Sequence, residues 1–405
     1  MRFLSLIFLL FISSFTCAQT TCDEVRQALL SHGNPEFEKC KISLLPSARE
    51  KYADMFSAIR DAEYYVHLEY FIFRLDSIGS ELINLLHEKV QQGVEVRLLI
   101  DAYGNWKAPC PMTDERMDSI RALGIKLTVF DPIRFPWLPN LLHRDHRKIV
   151  VVDGKYAWTG GMNVADYYIH GTERTGPWRD MQARFEGPIV DEFQKIFVRI
   201  WEKTSGEDLF DLRYRVPSET KDGLNMIMVN REPKTSNRQI RRAYVSLLDA
   251  AKEEVRIVNP YPTNTHSVRL AMKRALRRGV NVKVMVSSSS DNRVVPDVIA
   301  VQMKNFADHG AEIFYYDAGF HHTKVITVDG AISMVGTANM DGRSMRYDYE
   351  VNVVVFDSLT TSRLNKIFDD DTKDCHMMER KYFRKEVPLR HRFIGRVFQP
   401  IKGLL

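Results

Sequence analysis

Apolar residues along the chain form two similar series of amphipathic and apolar segments. In the first series, a helical pattern through residues 82–90 ends at Gly93 and leads into the apolar stretch 94–100. In the second series, a matching pattern leads from residues 270–276 into 280–286. A glycine after the last helical turn, followed by a short β-branched run, is typical of a helix-to-strand connection. The pattern therefore predicts alternating helices and strands in each half of the chain.

A polar motif repeats inside this pattern. Residues 146–154 read HRKIVVVDG, and residues 322–330 read HTKVITVDG, 176 positions later. The trailing Gly-x-x-Asn of residues 160–163 returns as 336–339 at the same offset. The shared polar residues are His146, Lys148, Asp153 and Asn163 in the first copy and His322, Lys324, Asp329 and Asn339 in the second.

A repeat of this size predicts an α/β fold of two lobes, each a mixed β-sheet flanked by helices, related by pseudo-two-fold symmetry. Each lobe would supply one motif to an active site at the lobe interface. We predict a signal peptide over residues 1–18, an N-terminal segment over 19–42, a first lobe over 43–210, a linker over 211–236, a second lobe over 237–379 and a basic amphipathic tail over 380–405.

The residue types of the motif suit chemistry on phosphorus. His and Lys two positions apart share one face of a strand, and the following Asp-Gly turn brings the Asn back beside them. An imidazole can act as nucleophile or proton carrier, and ammonium and amide groups donate to phosphate oxygens. One such segment alone is an ordinary strand, but two copies with the same spacing favour catalysis. Lys is a poor metal ligand and no Cys or carboxylate accompanies either copy, so we predict no metal and no cofactor.

The paired His-x-Lys-x4-Asp segments with trailing Gly-x-x-Asn resemble the phospholipase D superfamily, over roughly residue 43 to the C-terminus. The Glu-Tyr-Phe-Ile-Phe run at 69–73 and the terminal sequence resemble bacterial cardiolipin synthases in particular. The resemblance implies a metal-free mechanism in which His146 becomes a phosphohistidine. It implies that His322 is the general acid and then the base, with Lys148 and Lys324 beside the two imidazoles.

The same resemblance implies roles for the other motif residues. Asn163 and Asn339 would bind phosphate, and Asp153 and Asp329 would hold the hairpins together. Asp180 and Glu350 would orient the imidazoles across the interface, Glu350 supporting His146 and Asp180 supporting His322; the alternative is that both are ordinary surface carboxylates. Gly161 and Thr337 stand where the family often has Ser, so a hydroxyl contact from position 161 is absent.

Three features outside the motif favour a lipid substrate and an anionic membrane surface as partner, with no nucleic acid. They are the export signal, an apolar and aromatic insertion over 132–142, and the tail, where residues 380–405 hold eight Lys or Arg and one Glu in a chain of net charge +5. The insertion is either a membrane-dipping loop or a buried lid. The resemblance then implies transfer between two phosphatidylglycerol molecules to give cardiolipin and glycerol.

Two alternatives remain. A phospholipase D or nuclease of the same fold would differ only in the group that discharges the phosphohistidine, and the basic helix face at Arg269, Lys273, Arg274, Arg277 and Arg278 is either a nucleic-acid surface or a solvated face. A non-catalytic membrane-binding scaffold would show decay of one motif, and both motifs are intact.

The N-terminus predicts delivery to the periplasmic face of the membrane. An apolar run over residues 3–15 precedes small and polar residues, which is typical of a signal peptide. Cleavage after Ala18, lipidation of Cys17 and an uncleaved anchor remain open. In an oxidising compartment Cys22 and Cys40 are close enough in sequence to form a disulfide, and buried free thiols are the alternative.

Overall fold

The computed structural model describes residues 19–106, 111–133, 141–209, 214, 218, 220–292, 294–378 and 387–398. The strands of the first half are β1 Glu36–Leu45, β2 Tyr65–Tyr70, β3 Glu95–Asp101, β4 Lys126–Phe130, β5 Lys148–Val152, β6 Tyr156–Gly160, β7 Trp178–Arg179 and β8 Gln182–Glu186. Those of the second half are β9 Leu224–Arg231, β10 Glu254–Val258, β11 Asn281–Ser287, β12 Glu312–Tyr316, β13 Phe320–His321, β14 Val325–Val328, β15 Ile332–Gly336, β16 Glu350–Phe356 and β17 Cys375–Met377.

Helices connect these strands in both halves. The first is α1, over residues 19–31 of the described chain. The others are α2 Ala48–Arg60, α3 Ser77–Gln91, α4 Ala102–Asn105, α5 Asp114–Ala122, α6 Tyr167–His170, α7 Ile189–Ser205, α8 Gln239–Ala250, α9 His266–Arg277, α10 Val295–Ala307, α11 Gly342–Arg346, α12 Ser358–Asp371 and α13 Leu389–Val397.

Fifteen of the strands form one continuous sheet with the same order in each half, and β7 and β13 pair in a separate two-stranded sheet. The first half contributes β1-β8-β6-β5-β2-β3-β4 and the second β9-β16-β15-β14-β10-β11-β12, with β17 at the outer edge. The two series meet where β1 and β9 pair antiparallel, so the pseudo-two-fold relation runs between these strands. Within each half the helix-linked strands are parallel and the motif hairpin is antiparallel. The predicted two-lobed α/β fold is therefore confirmed.

Three large apolar cores hold the sheet, and a small fourth one lies between β10, β11, β12 and α12. One covers the first half through α2, α3 and β2, and another covers the second half through α8, α9 and α10. The third joins both halves, because α7 packs on β5 and β8 of the first half and on β9 and β16 of the second. Burial of this shared apolar surface fixes the two lobes against each other.

Tight turns close the two motif hairpins. Asp153 and Asp329 have φ of 51° and 49°, and each is followed by a glycine at φ 63°. Two consecutive left-handed residues form the type I′ turn that matches the twist of antiparallel strands, and Asp-Gly tolerates this conformation. The carboxylate of Asp153 accepts from the backbone N–H groups of Glu63, Tyr64 and Tyr65 at 2.7–2.9 Å. It thereby attaches the hairpin to the start of β2.

The second hairpin is attached in the same way. Asp329 accepts from the backbone N–H groups of Lys252, Glu253 and Glu254 at 2.9–3.0 Å, before β10. Asp329 also accepts from the Thr21 hydroxyl at 2.8 Å. Each aspartate therefore attaches its hairpin to the backbone just before the neighbouring strand.

The predicted domain boundaries differ from the structure at two places. The segment 19–42 divides, because α1 packs into the core of the second half while β1 joins the sheet of the first. The predicted linker 211–236 contains β9, which pairs with both β1 and β16. In β1, which reads EFEKCKISLL, a register shift between Phe37 and Cys40 interrupts the apolar alternation. Both central strands pair with a neighbour on each side.

Cys22, Cys40 and Cys375 are free thiols in this structure, so the Cys22–Cys40 disulfide is not formed. Cys22 lies on α1 against the core of the second half, and Cys40 lies on β1 in the core that joins the halves. Residues 1–18, Cys110 and most of the insertion 132–142 lie outside the described residues. No helix in the described part of the chain is both long and apolar enough to cross a bilayer.

Candidate active site

Each motif is carried into the interface by backbone pairing with the other half. The N–H of His146 donates to the carbonyl of Tyr349 at 3.1 Å, next to a parallel bridge between Asp145 and Tyr349. The N–H of His322 donates to the carbonyl of Arg179 at 2.7 Å, where β13 pairs with β7. A carboxylate directly follows each acceptor: Glu350 follows Tyr349, and Asp180 follows Arg179. These pairings therefore place a carboxylate of one lobe beside the histidine of the other.

Two histidine–carboxylate pairs cross the interface between the lobes. His146 Nδ1 lies 2.9 Å from Glu350 Oε1, and His322 Nδ1 lies 2.8 Å from Asp180 Oδ2. A carboxylate at Nδ1 fixes the ring proton there and leaves the lone pair on Nε2. Asp180 and Glu350 are 2% and 0% exposed, which excludes the alternative that they are surface carboxylates.

Different residues support the two carboxylates. The Thr337 hydroxyl donates to Glu350 Oε2 and accepts from the N–H of Val351. At the equivalent position of the first lobe, a Cβ on Gly161 would lie 2.3 Å from Asp180 Oδ1. The shorter aspartate therefore occupies the space that a side chain at position 161 would fill. Thr337 therefore accompanies Glu350 in the second lobe, and Gly161 accompanies Asp180 in the first.

The two lysines lie directly behind the imidazoles. Lys148 Nζ donates to the carbonyl of His146 at 2.6 Å, and Lys324 Nζ donates to that of His322 at 2.5 Å. Lys324 Nζ is also 3.0 Å from both ring nitrogens of His322, Nδ1 and Nε2. Burial, opposed by Glu350, lowers the pKa of Lys148 to about 7, and burial opposed by Asp180 lowers that of Lys324 to about 8. An anionic ligand between them would stabilise both ammonium groups.

Burial also keeps both imidazoles neutral. Desolvation and the charge of Lys148 lower the pKa of His146 well below its usual value. Desolvation and the charge of Lys324 lower the pKa of His322 to about 4. The rings of Trp178, Phe320 and Tyr261 lie 5.3, 5.5 and 6.2 Å from that of His322 and form an aromatic wall. His146 has a single such neighbour, Phe71, at 4.8 Å among the ring contacts of the described residues.

The two motif asparagines have different surroundings. Asn163 accepts from the N–H of Ile72 at 2.9 Å and donates to the Tyr168 hydroxyl at 3.1 Å, so its side chain holds the loop after β2. Asn339 is buried, and its side-chain oxygen has no hydrogen-bond partner in the described structure. A phosphate contact of either amide stays a prediction, and Asn339 is the freer of the two. Within the described ranges, no group of three or more His, Cys, Asp or Glu side chains is arranged to hold a metal ion.

A cavity of about 980 Å³ opens beside the site in the first lobe. Its walls combine apolar side chains, including Met112, Val129 and Phe130, with charged ones, including Asp114, Arg121 and Lys234. Tyr349 forms part of the same wall and accepts the backbone N–H of His146. The cavity therefore reaches the backbone that holds His146.

Several functional neighbours do not follow the fixed 176-residue offset of the repeat. The carboxylates Asp180 and Glu350 are 170 residues apart, whereas the motifs are offset by 176, so a search at one fixed offset misses them. Pairing of Gly160 with Gln182 and of Gly336 with Asn352 shows that they are equivalent. Thr337 and the aromatic wall of His322 come from separate segments, and only folding brings them together.

The basic helix face is partly occupied by contacts within the fold. Arg274 binds Asp249 at 2.7–2.9 Å, and Arg278 donates to the carbonyls of Leu248 and Ala251. Two of its five cations thus serve to pack α9 on the end of α8.

Comparison with known proteins identifies the family. The family model described as "Cardiolipin synthase, PLD-like domain" matches residues 55–201 and 244–372, one copy in each lobe. The chain is 32% identical over 368 residues to a cardiolipin synthase of Geobacillus kaustophilus, covering 90% of this chain and 72% of that protein. It is 33% identical over 351 residues to a probable cardiolipin synthase of Bacillus subtilis, covering 86% and 69%.

The fold is similar to that of solved structures at low sequence identity. A phosphatidylserine synthase of Haemophilus influenzae matches with a TM-score of 0.72 and 14% identity, over 94% of this chain and 98% of that one. A polyphosphate kinase of Porphyromonas gingivalis matches with a TM-score of 0.57 and 13% identity, over 90% and 54%. Together with the crossed histidine–carboxylate pairs, the sequence relatives lead to one conclusion: the chain belongs to the cardiolipin synthase family of the phospholipase D superfamily and is a phosphatidyltransferase.

Proposed function

We propose that the protein makes cardiolipin from two phosphatidylglycerol molecules and releases glycerol. In the first step, His146 Nε2 attacks phosphorus, the bond from phosphorus to the headgroup glycerol oxygen breaks, and His322 donates a proton to that oxygen. In the second step, a headgroup hydroxyl of another phosphatidylglycerol attacks phosphorus while neutral His322 accepts its proton. The phosphorus–nitrogen bond then breaks and His146 is restored.

The crossed pair of histidine–carboxylate contacts carries this proposal. Two imidazoles with Nδ1 fixed by carboxylates direct two Nε2 atoms into one interface, and double displacement at phosphorus needs one nucleophile and one proton carrier. Lys148 and Lys324 lie behind them and can offset charge on the phosphoryl oxygens.

The surroundings of the two rings favour His146 as the nucleophile. Nε2 of His322 is 3.0 Å from the Lys324 ammonium, whereas Nε2 of His146 has no hydrogen-bond partner in the part of the chain that the structure describes. An unoccupied lone pair on a neutral imidazole is the reactive form. Binding of an anionic phosphodiester favours the imidazolium form of His322, which then serves as the acid.

Two surfaces support a lipid rather than a nucleic acid. The cavity near His146 is lined by apolar side chains, including Met112, Val129 and Phe130, next to charged ones such as Arg121 and Lys234, and this mixture suits the acyl and headgroup parts of a phospholipid. On α13, the side chains of Leu389, Phe393 and Val397 are 77%, 69% and 54% exposed at helical spacing. Such a stripe fits the interfacial region of a bilayer.

The helix that carries this stripe is attached to the second lobe. His391 Nδ1 lies 2.7 Å from Asp297 Oδ1 on α10, and a Cβ on Gly395 would lie 2.2 Å from the Asp297 carbonyl oxygen. Arg390 and Arg396 are exposed beside the stripe and can meet anionic headgroups. The proposed place of action is accordingly the surface of an anionic membrane, on the periplasmic face to which the N-terminal leader would direct the chain.

The purified full chain and a His146→Ala variant, incubated with phosphatidylglycerol vesicles and analysed by mass spectrometry, test the proposal. We expect cardiolipin and glycerol in equal amounts from the wild type and neither from the variant. Phosphatidic acid as the main product would show a hydrolase instead. A His322→Ala variant that still turned over at the wild-type rate would contradict the assigned proton transfers.

A further inference from the structure

Four arginines on two helices of the second lobe lie together without a carboxylate partner. Arg238, Arg241 and Arg242 occupy the start of α8, and Arg346 ends α11, which packs against α8. Arg238, Arg242 and Arg346 are exposed, and Arg241 is half-buried. Among the residues that the structure describes, none forms an ion pair with any of the four guanidinium groups. Arg274 on α9, by contrast, is paired with Asp249.

This concentration of charge is unfavourable in the free protein. Burial, together with the charges of Arg238, Arg346 and Arg242, lowers the pKa of Arg241. The first turn of α8 contains no acidic residue, and the helix dipole there is already positive. Like charges held this close repel one another and are stabilised when an anion lies between them.

The position of the arginines connects them with the active site. α11 starts three residues after Asn339, and Ser344 within it accepts the backbone N–H of Asn339 at 3.1 Å. The cluster lies at the other end of this helix, four residues before Glu350. The carbonyl of Tyr347, next to Arg346, accepts from Nδ1 of His143 at 2.9 Å, and His143 lines the cavity beside the site.

We propose that Arg238, Arg241, Arg242 and Arg346 form a docking surface for the phosphate groups of an anionic bilayer that contains phosphatidylglycerol. The choice of lipid phosphate as the occupant rests on the proposed function. Guanidinium groups bind phosphate oxygens in pairs, and exposed arginines on neighbouring helices can engage more than one headgroup. The surface would hold anionic lipid beside the rim of the active site, separately from the contact made by α13.

The test compares two triple variants of the full chain that remove three positive charges each. One is Arg238→Gln, Arg242→Gln, Arg346→Gln; the control is Arg269→Gln, Lys273→Gln, Arg277→Gln on α9. Partition onto phosphatidylcholine vesicles with and without phosphatidylglycerol is measured by co-flotation at fixed salt. Because each basic residue at an anionic surface contributes about 1 kcal/mol, the first variant should bind phosphatidylglycerol vesicles on the order of 100-fold more weakly. The control should stay within about two-fold of the wild type, since its surface is not the docking surface.

Three outcomes would overturn the inference. Vesicle binding could weaken equally in both variants, which would indicate an effect of net charge alone, or it could stay unchanged in the first variant. The first variant could also lose binding to a single-stranded oligonucleotide while it keeps its binding to vesicles. An Arg→Lys triple at the same positions checks the fold, and it should recover part of the partition because the charge remains. Flotation needs no turnover. If the wild type docks through the four arginines but makes no cardiolipin, the proposed function alone is refuted. If the wild type makes cardiolipin and the first variant docks as well as the wild type does, this inference alone is refuted.

Discussion

His146 is oriented by Glu350, a residue 204 positions away in the other lobe, through a contact of 2.9 Å between Nδ1 and Oε1. The second pair, His322 with Asp180, crosses in the opposite direction at 2.8 Å. Neither lobe therefore contains a complete histidine–carboxylate unit of its own. A change in one lobe should alter the reactivity of the histidine in the other.

Glu350→Gln and Asp180→Asn should both lower phosphatidyl transfer by about 10²- to 10⁴-fold, because an amide no longer fixes the ring proton on Nδ1. The two losses should differ in kind. Glu350→Gln should prevent formation of a phosphoryl adduct on His146, whereas Asp180→Asn should slow its discharge. Alkaline quenching and intact-protein mass spectrometry would measure the adduct, and the opposite assignment of the two variants would contradict the crossed arrangement.

Gly161→Ser should strongly reduce activity. Its Cβ would lie 2.3 Å from the Asp180 carboxylate, which would have to move away from His322. Thr337→Ser in the equivalent position of the second lobe retains the hydroxyl that donates to Glu350 and should keep near-wild-type turnover. The measurement is kcat for cardiolipin formation in both variants. If the Gly161→Ser enzyme were as active as the Thr337→Ser enzyme, the Asp180 carboxylate would be able to accommodate a side chain at position 161 without leaving His322.

Asp153→Asn should destabilise the fold without removing the chemistry. Its carboxylate accepts three backbone N–H groups before β2, and an amide nitrogen in one of those positions leaves buried donors unpaired. The free energy of unfolding should fall by about 1–3 kcal/mol, measured by denaturant titration. The control is Asp118→Asn, whose side chain is 72% exposed in a surface pair and should change little. Loss of activity at full stability would assign Asp153 a role at the site instead.

Stability should fall as the pH falls from 6.5 toward 4, partly because of His322. The folded chain resists protonation of this ring, with a pKa of about 4, while the unfolded chain accepts the proton near its usual value of 6.5. The unfolded state thus binds more protons in that interval, which favours unfolding. Over this pH interval, the free energy of unfolding of a His322→Gln variant should fall by up to about 3 kcal/mol less than that of the wild type. If the denaturant midpoints of the two proteins fell by the same amount as the pH is lowered, the low pKa of His322 would be refuted.

Leu389→Ser with Phe393→Ser should weaken binding to phosphatidylglycerol vesicles by at least about ten-fold, because two exposed apolar side chains no longer enter the interface. Leu359→Ser is the matched control, since Leu359 is 60% exposed on α12. Vesicle flotation of the full chain provides the measurement. Equal binding of the double variant and the control would remove α13 from the membrane contact.

The repeated sequence by itself determined the two-lobed fold, the hairpins and the residues of the motif. Local rules suffice there: the Asp-Gly turns need left-handed backbone, and the apolar runs need burial on a sheet. The family resemblance added the crossing of Asp180 and Glu350. Apolar periodicity did not reveal β1 and β9, because their positions in the centre of the sheet depend on partners from both halves.

Only the tertiary structure decided which side chains complete the site. Thr337 meets Glu350, the space at Gly161 holds Asp180, and Lys324 rather than Lys148 lies against the imidazole Nε2. These contacts depend on the relative placement of two lobes, which the shared core under α7 fixes by burying apolar surface from both. Sequence spacing carries no record of such distances, because they are set by packing between segments rather than by the path of the chain within one.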